Sequence, residues 1–504
     1  MSSVIPGAEA DVVVVGGGSA ALCAAISARE QGSRVTLLEK APFPERGGNS
    51  RFTDGAIRVA YRDRSELLDL LRGELRTEFQ DAAVDPYPAD AFESDLHRLS
   101  SGGADGELCR KLATESMDTL RWLCRHGVEF EPLSDQQAFR DGDRLRYWGG
   151  LILRTRGKGK GLIEAELARA RELGVDMHFG HEVTGVDPDP TGGMRVQVRN
   201  GEEDRSLELR SGAVILACGG FEASEQWRAR HLGPQWVHAR VRGTVHNQGD
   251  GLRMALEQGA DSAGDWSGCH SVATDTAAPA FGRPGTGDVF KKHSYPLGIV
   301  VNREGERFLD EGADFRNYTY ARYGARILDQ PGAQAFQIFD DRVRSLLRPE
   351  YRHPEATRFE ASDPGDLARK MGVDPDRFLW TLQSYNRAVQ PGDFNPAVLD
   401  GKGTRGLQPP KSNWALPIDS PPFTAFPVTC GITFTYGGLR VDSDARVLSS
   451  SGEAIPGLFA AGEMVGNLFT ENYPGGSGLM SGAVFGRTAG TVAAREARRR
   501  GGGG

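Results

Sequence analysis

Residues 11–21, Asp-Val-Val-Val-Val-Gly-Gly-Gly-Ser-Ala-Ala, constrain this chain more than any other stretch. Four consecutive valines read as a parallel strand buried on both faces. The glycines then turn the chain tightly, and residues 20–30 have helix-forming composition. Gly16-x-Gly18-x-x-Ala21 is the dinucleotide fingerprint with alanine at its last small position. Glycine lets the backbone approach a pyrophosphate, and the helix N-terminus supplies free N–H groups and the positive end of its dipole. A second strand, residues 34–38, ends at Glu39, where a carboxylate is placed to hold a ribose hydroxyl. Strand, turn, helix, strand and acid in this order predict an α/β fold whose first unit binds a dinucleotide.

The 504 residues are 39% hydrophobic and 25% charged, enough for two substantial domains. A net charge of −8 gives a nucleic-acid role no support. No apolar run is long enough to cross a bilayer, so an integral membrane protein is not expected. The first ten residues lack a basic region followed by a hydrophobic one, and a cytoplasmic location is expected. Six cysteines are scattered without a C-x-x-C pair, which argues against iron–sulfur, zinc and c-type haem sites. No metal site is predicted.

Downstream of Glu39, prolines and Gly47-Gly48 forbid regular structure, and Gly-Gly-Asn-Ser suits a loop lying flat against a ligand. Residues 64–78, 106–126 and 162–173 read as helices. Strands at 175–179, 194–198 and 207–209 read as an antiparallel insertion, closed by an apolar run, 213–218, that ends in Gly219-Gly220. Residues 266–432 lack βαβ rhythm and carry many aromatics and arginines, as an inserted α+β cap would. The chain returns through a strand at 457–461, the acid Glu463, and a helix over 482–495. The expected organisation is a split Rossmann-like domain, 1–265 and 433–504, around a substrate cap, 266–432.

The fingerprint, Gly47-Gly48-Asn49-Ser50, Ala217-Cys218-Gly219-Gly220 and Ala461-Gly462-Glu463 together resemble the fumarate reductase/succinate dehydrogenase flavoprotein family, in its soluble branch. Arg307-Phe308, Asp310-Glu311-Gly312 and Gly431-Ile432-Thr433-Phe434-Thr435-Tyr436 look most like its tricarballylate dehydrogenase group. The resemblance implies FAD. Its pyrophosphate would rest on Gly16, Gly18, Ser19 and Ala20, with the ribose at Glu39 and Lys40. Gly47, Gly48, Asn49 and Ser50 would line the flavin, Glu463 would reach the ribityl chain, and Val183, Ala217, Gly219, Gly462, Ser477 and Leu479 complete the set. The histidine that attaches FAD in membrane-complex members has no counterpart in Arg51-Phe52-Thr53-Asp54-Gly55, so FAD is expected to be non-covalent.

Desaturation beside a carboxylate needs a hydride acceptor, a base and fixed positive charge. Residues 303–348 hold eight arginines, no lysine and eight acidic residues. The arginine fork grips a carboxylate with two hydrogen bonds. By resemblance, Arg344 is the proton-moving cap arginine and Glu311 lies in its relay, with Arg316 and Arg322 as alternatives. His270 falls where the family holds a substrate carboxylate, beside Thr435 and Tyr436. Tyr473 stands where family reductases have an arginine, and a tyrosine there polarises a ketone in 3-ketosteroid dehydrogenases. The expected function is FAD-dependent introduction of a C=C bond next to a carboxylate of a tricarballylate-like polycarboxylate. The alternative is desaturation next to a steroid-like ketone, which Trp266, Phe281, Phe290, Phe434 and Phe469 would suit. An electron-accepting partner protein or a quinone-linked route would reoxidise the flavin.

Overall fold

The valine run forms the central strand β1 (Glu9–Val15), with Val12, Val13 and Val14 fully shielded from solvent. The computed structural model describes residues 9–141, 144–147, 149–201, 205–285 and 288–501; residues 1–8 and 502–504, within the expected first and last segments, lie outside these. α1 (Ser19–Glu30) follows the glycine turn, and β2 (Val35–Glu39) pairs in parallel with β1. α2 (Lys158–Glu172) leads into β3 (Asp176–Phe179). That strand extends the parallel sheet beyond β2 rather than joining the antiparallel insertion, a correction to the sequence reading. The insertion consists of β4 (His181–Pro188), β5 (Met194–Asn200) and the first half of β6 (Arg205–Leu216). A bulge between Val183 and Gly185 breaks the period of two in β4, which hid that strand from its sequence pattern. The second half of β6 runs parallel to β1, and the strand Ala454–Ala460 lies in parallel on its other side.

A second sheet stands over this one. β7 (Arg240–Val241), β8 (Cys269–Asp275), β9 (Ile299–Asn302), β10 (Ala335–Phe339) and β11 (Phe359–Ala361) are organised around the long β12 (Phe423–Thr435). β7 pairs in parallel with Gly431–Ile432 of β12, so this sheet takes strands from before residue 266. A short helix, α3 (Arg316–Thr319), hangs from it toward the first sheet.

The last helix, α4 (Ser477–Gly501), packs along α1 through small residues. A Cβ at Gly486 would lie 2.4 Å from the Ala20 carbonyl oxygen, and one at Gly490 would lie 2.2 Å from that of Ala24. Ser27 Oγ donates to the Arg487 carbonyl at 2.8 Å. The helix expected over 64–78 is two helices, Arg64–Leu68 and Gly73–Phe79, separated where Leu70 and Leu71 turn into the core and Gly73 adopts a positive φ. All six cysteines are free. Among the described residues, no helix is long and apolar enough to cross a membrane and no group of side chains is arranged to hold a metal ion.

Candidate active site

One continuous cavity runs from the C-terminal ends of β1 and β2 to the underside of the second sheet. At its first end, Gly18 precedes α1 and brings no capping side chain of its own; Ser19 N donates to Ser50 Oγ at 3.3 Å, and the next amides of the turn are left for a ligand. Gly16 has φ +114°, and a Cβ there would lie 2.4 Å from the Ala217 carbonyl oxygen, so only glycine brings the turn this close to β6. Glu39 is buried at the end of β2, and its Oε1 accepts from the Ala41 amide at 2.7 Å. Lys40 is paired with Asp250.

Behind the glycine turn sits Glu166 of α2, fully buried, its Oε1 accepting from Ser19 Oγ at 2.8 Å and Cys23 Sγ at 3.3 Å. Burial pushes its carboxyl up to about 8, against the pull of those two donors.

Midway along the cavity two buried acids meet. Glu222 Oε1 accepts from Asn49 Nδ2 at 2.5 Å and Asn247 Nδ2 at 2.6 Å. Glu463 Oε1 accepts from the Thr435 amide at 2.7 Å and Thr435 Oγ1 at 3.0 Å. The two carboxyl groups act directly on each other; burial raises both, Glu222 well above the ordinary range, where the Glu463 charge adds to the effect.

The far end is lined by charged and aromatic side chains. Arg242 is paired with Asp288 and Lys291 with Asp54. Burial pulls the Lys291 ammonium down to about 7, with Glu350 opposing and Arg348 and Arg316 adding to the effect. Arg316, from α3, has no carboxylate partner among the described residues; its guanidinium lies 5.1 Å over the Tyr320 ring and 3.5 Å from His293 Nδ1. Burial, then the nearby Arg348, lowers it to about 10. Tyr320 and Tyr473 Oη are 2.7 Å apart, with the His270 ring against both. Burial, reinforced by Tyr320, pushes Tyr473 up, and burial keeps His270 and His293 neutral. Neither ring nitrogen of His270 has a partner.

The cavity thus gathers Gly16, Gly18, Ser19, Ala20, Glu39, Lys40, Gly48, Asn49, Ser50, Val183, Ala217, Gly219, Gly462, Glu463 and Leu479 from the expected cofactor set. Gly47 stands one residue behind, where a Cβ would meet Ile163, and Ser477 turns its hydroxyl to the Pro474 carbonyl at 2.7 Å. On the substrate side His270, Arg316, Thr435, Tyr436 and Tyr473 are brought together, whereas Arg344, Glu311 and Arg322 are not. Arg344 is half exposed in ion pairs with Glu360 and Asp341, because the short helix holding it turns Val343 inward instead. Glu311 is fully buried in a closed pair with Arg307 that also takes the Val300 amide. Arg322 is exposed. Of the aromatics, Phe434 and Phe469 line the cavity; Trp266, Phe281 and Phe290 do not. Sequence reading missed Arg242, Lys291, His293 and Tyr320, which lie in no fingerprint and meet only when the ends of β7 and α3 converge on the segment at 291–293 that bridges to β8.

A family model described as FAD binding domain matches residues 11–479. The residues fit that cofactor: a glycine turn that brings no cap of its own to α1, a buried acid at the end of β2 and one unbroken cleft from there to Tyr473. The chain is 27% identical over 493 residues to a fumarate reductase (cytochrome) of Shewanella frigidimarina, covering 97% of this chain and 78% of that protein. It is 26% identical over 576 residues to a 3-oxosteroid 1-dehydrogenase of Mycobacterium tuberculosis, covering 98% and 99%. In fold it is similar to the 3-ketosteroid Δ1-dehydrogenase of Sterolibacterium denitrificans, with a TM-score of 0.74 at 21% identity, covering 97% of this chain and 100% of that one.

Proposed function

The chain belongs to the FAD-binding family, and from that premise we propose an FAD-dependent oxidoreductase of CH–CH groups that introduces a C=C bond beside a carboxylate of a tricarballylate-like polycarboxylate. One observation carries the carboxylate: Arg316 lines the cavity and makes no ion pair with a carboxylate among the described residues. The other two cations at that end already hold acids.

When bound, FAD supplies the hydride acceptor. Arg316 holds the substrate carboxylate through its two-pronged fork. Neutral His270 offers one N–H and one lone pair, and completes the grip. The proton goes to the free lone pair of neutral His270, while the Tyr320–Tyr473 hydroxyl pair against its ring hydrogen-bonds to the substrate. Phe434 and Phe469 keep water from the reacting carbon. Non-covalent FAD is part of this reading, since Phe52, Thr53 and Asp54 line the cavity where the attaching histidine would stand. So are a cytoplasmic location and reoxidation by an electron-accepting partner or quinone.

A second reading rests on the same hydroxyl pair. Two tyrosines 2.7 Å apart against aromatic walls suit the oxygen of a ketone, and one relative is a 3-oxosteroid 1-dehydrogenase. Anaerobic bleaching of the yellow protein separates the two. Bleaching by tricarballylate and not by a 3-ketosteroid is expected; the reverse result makes the ketone the substrate.

A further inference from the structure

We propose that Glu222 and Glu463 act as one proton-sharing pair that locks the cofactor-facing segments together, making Glu222 a positioning residue for FAD. The inference rests on the cofactor site and is independent of the substrate reading. Glu222 is fully buried and follows Gly219-Gly220-Phe221; Glu463 lines the cavity itself. Two buried carboxyl groups gathered at one joint, with only neutral donors on them, cannot both stay ionised, so the pair keeps one proton. The remaining contacts leave room for that proton. Neutral donors occupy Oε1 of each acid, from Asn49 and Asn247 on one side and Thr435 on the other. Glu222 Oε2 is buried with no hydrogen-bond partner, which leaves it free to carry the shared proton.

The backbone is shaped for this joint. A Cβ at Gly220 would lie 2.1 Å from Glu463 Oε1, and one at Gly219 would lie 2.4 Å from Asn247 Nδ2. The cation on this loop, Arg228, spends its Nη1 on the Glu222 carbonyl oxygen at 2.6 Å and its other nitrogens on Trp236 and Val237 carbonyls. Asn49 further donates to the Thr433 carbonyl and accepts from the Thr244 amide, so five separate stretches of chain meet here. With its proton the pair carries one negative charge and stays closed. Stripped of it at alkaline pH, two buried carboxylates repel, and the segments holding FAD part.

The test is the temperature at which the holoenzyme releases its flavin fluorescence, followed from about pH 6 to about pH 10. The side-chain amide of Glu222→Gln donates permanently to Glu463, as the shared proton does. This variant is expected to match wild type at the acid end and to escape part of the alkaline fall. Glu222→Ala is expected to release FAD at lower temperature throughout and to bind it about tenfold more weakly. Other groups that titrate in this range, Glu166 and Lys291 among them, are common to all three proteins and cancel in the differences. A Glu222→Gln protein that tracks wild type through the alkaline fall, or is as weak as Glu222→Ala, overturns the proposal. So does a Glu222→Ala protein with wild-type FAD release.

Discussion

At the scale of single residues, the cap arginines divide by what already neutralises them. Arg316→Met is expected to lower kcat/KM about 100-fold on a carboxylate substrate while FAD stays bound. Arg344→Ala, which breaks only exposed ion pairs, is expected to leave turnover within about twofold of wild type. Steady-state kinetics beside flavin absorbance check both. Glu166 supplies a pH dependence of its own. Its carboxyl rises from the ordinary range near 4.5 to about 8 on folding, so the folded state binds the extra proton. Its contribution to stability is therefore complete below about pH 4.5 and lost as pH rises toward about 8. Glu166→Gln should flatten that part of the profile in thermal melts recorded across this window. Gly16, Gly18 and Glu39 were legible in the sequence because each carries a local backbone or capping requirement that shows in its neighbours. Arg316 and Arg344 share one arginine-rich span, and nothing local says which of them turns inward.

At the scale of elements, the α1–α4 contact makes the sharpest prediction. Gly486→Val puts a branched side chain where even a Cβ would lie 2.4 Å from the Ala20 carbonyl, and is expected to cost about 1–3 kcal/mol. Chemical denaturation would measure it, and FAD content should fall in step, since α1 presents the first-turn amides. β1 and the second half of β6 were readable as continuous apolar runs. β3 was not assigned to the parallel sheet, because a four-residue strand shows its neighbours' direction only through pairing. Helical pattern was legible over Gly106–Arg125, where buried positions recur down one face.

For the whole molecule, the seam between the two sheets decides whether Arg316 is in place. Asp95 accepts from Tyr318 Oη at 2.8 Å, and Arg98 bridges Asp95 to Asp314. Asn472 donates to the Tyr318 carbonyl at 2.7 Å, tying the same helix to the Tyr473 turn. Asp95→Ala is expected to raise KM about tenfold with FAD content unchanged, as titration of substrate against initial rate would show. The split arrangement was visible in the return of a glycine-ended strand late in the chain, while the seam was not, since its partners are scattered over nearly four hundred positions. That arrangement also sets an order in time. The floor of the cleft begins with Gly16 and is finished only by Ala461–Glu463 and Leu479, with the second sheet made in between. During synthesis the chain carries a half-built cradle while some 200 residues of another layer emerge and fold above it. The cofactor can be caught firmly only after translation has passed the last helix's first turn.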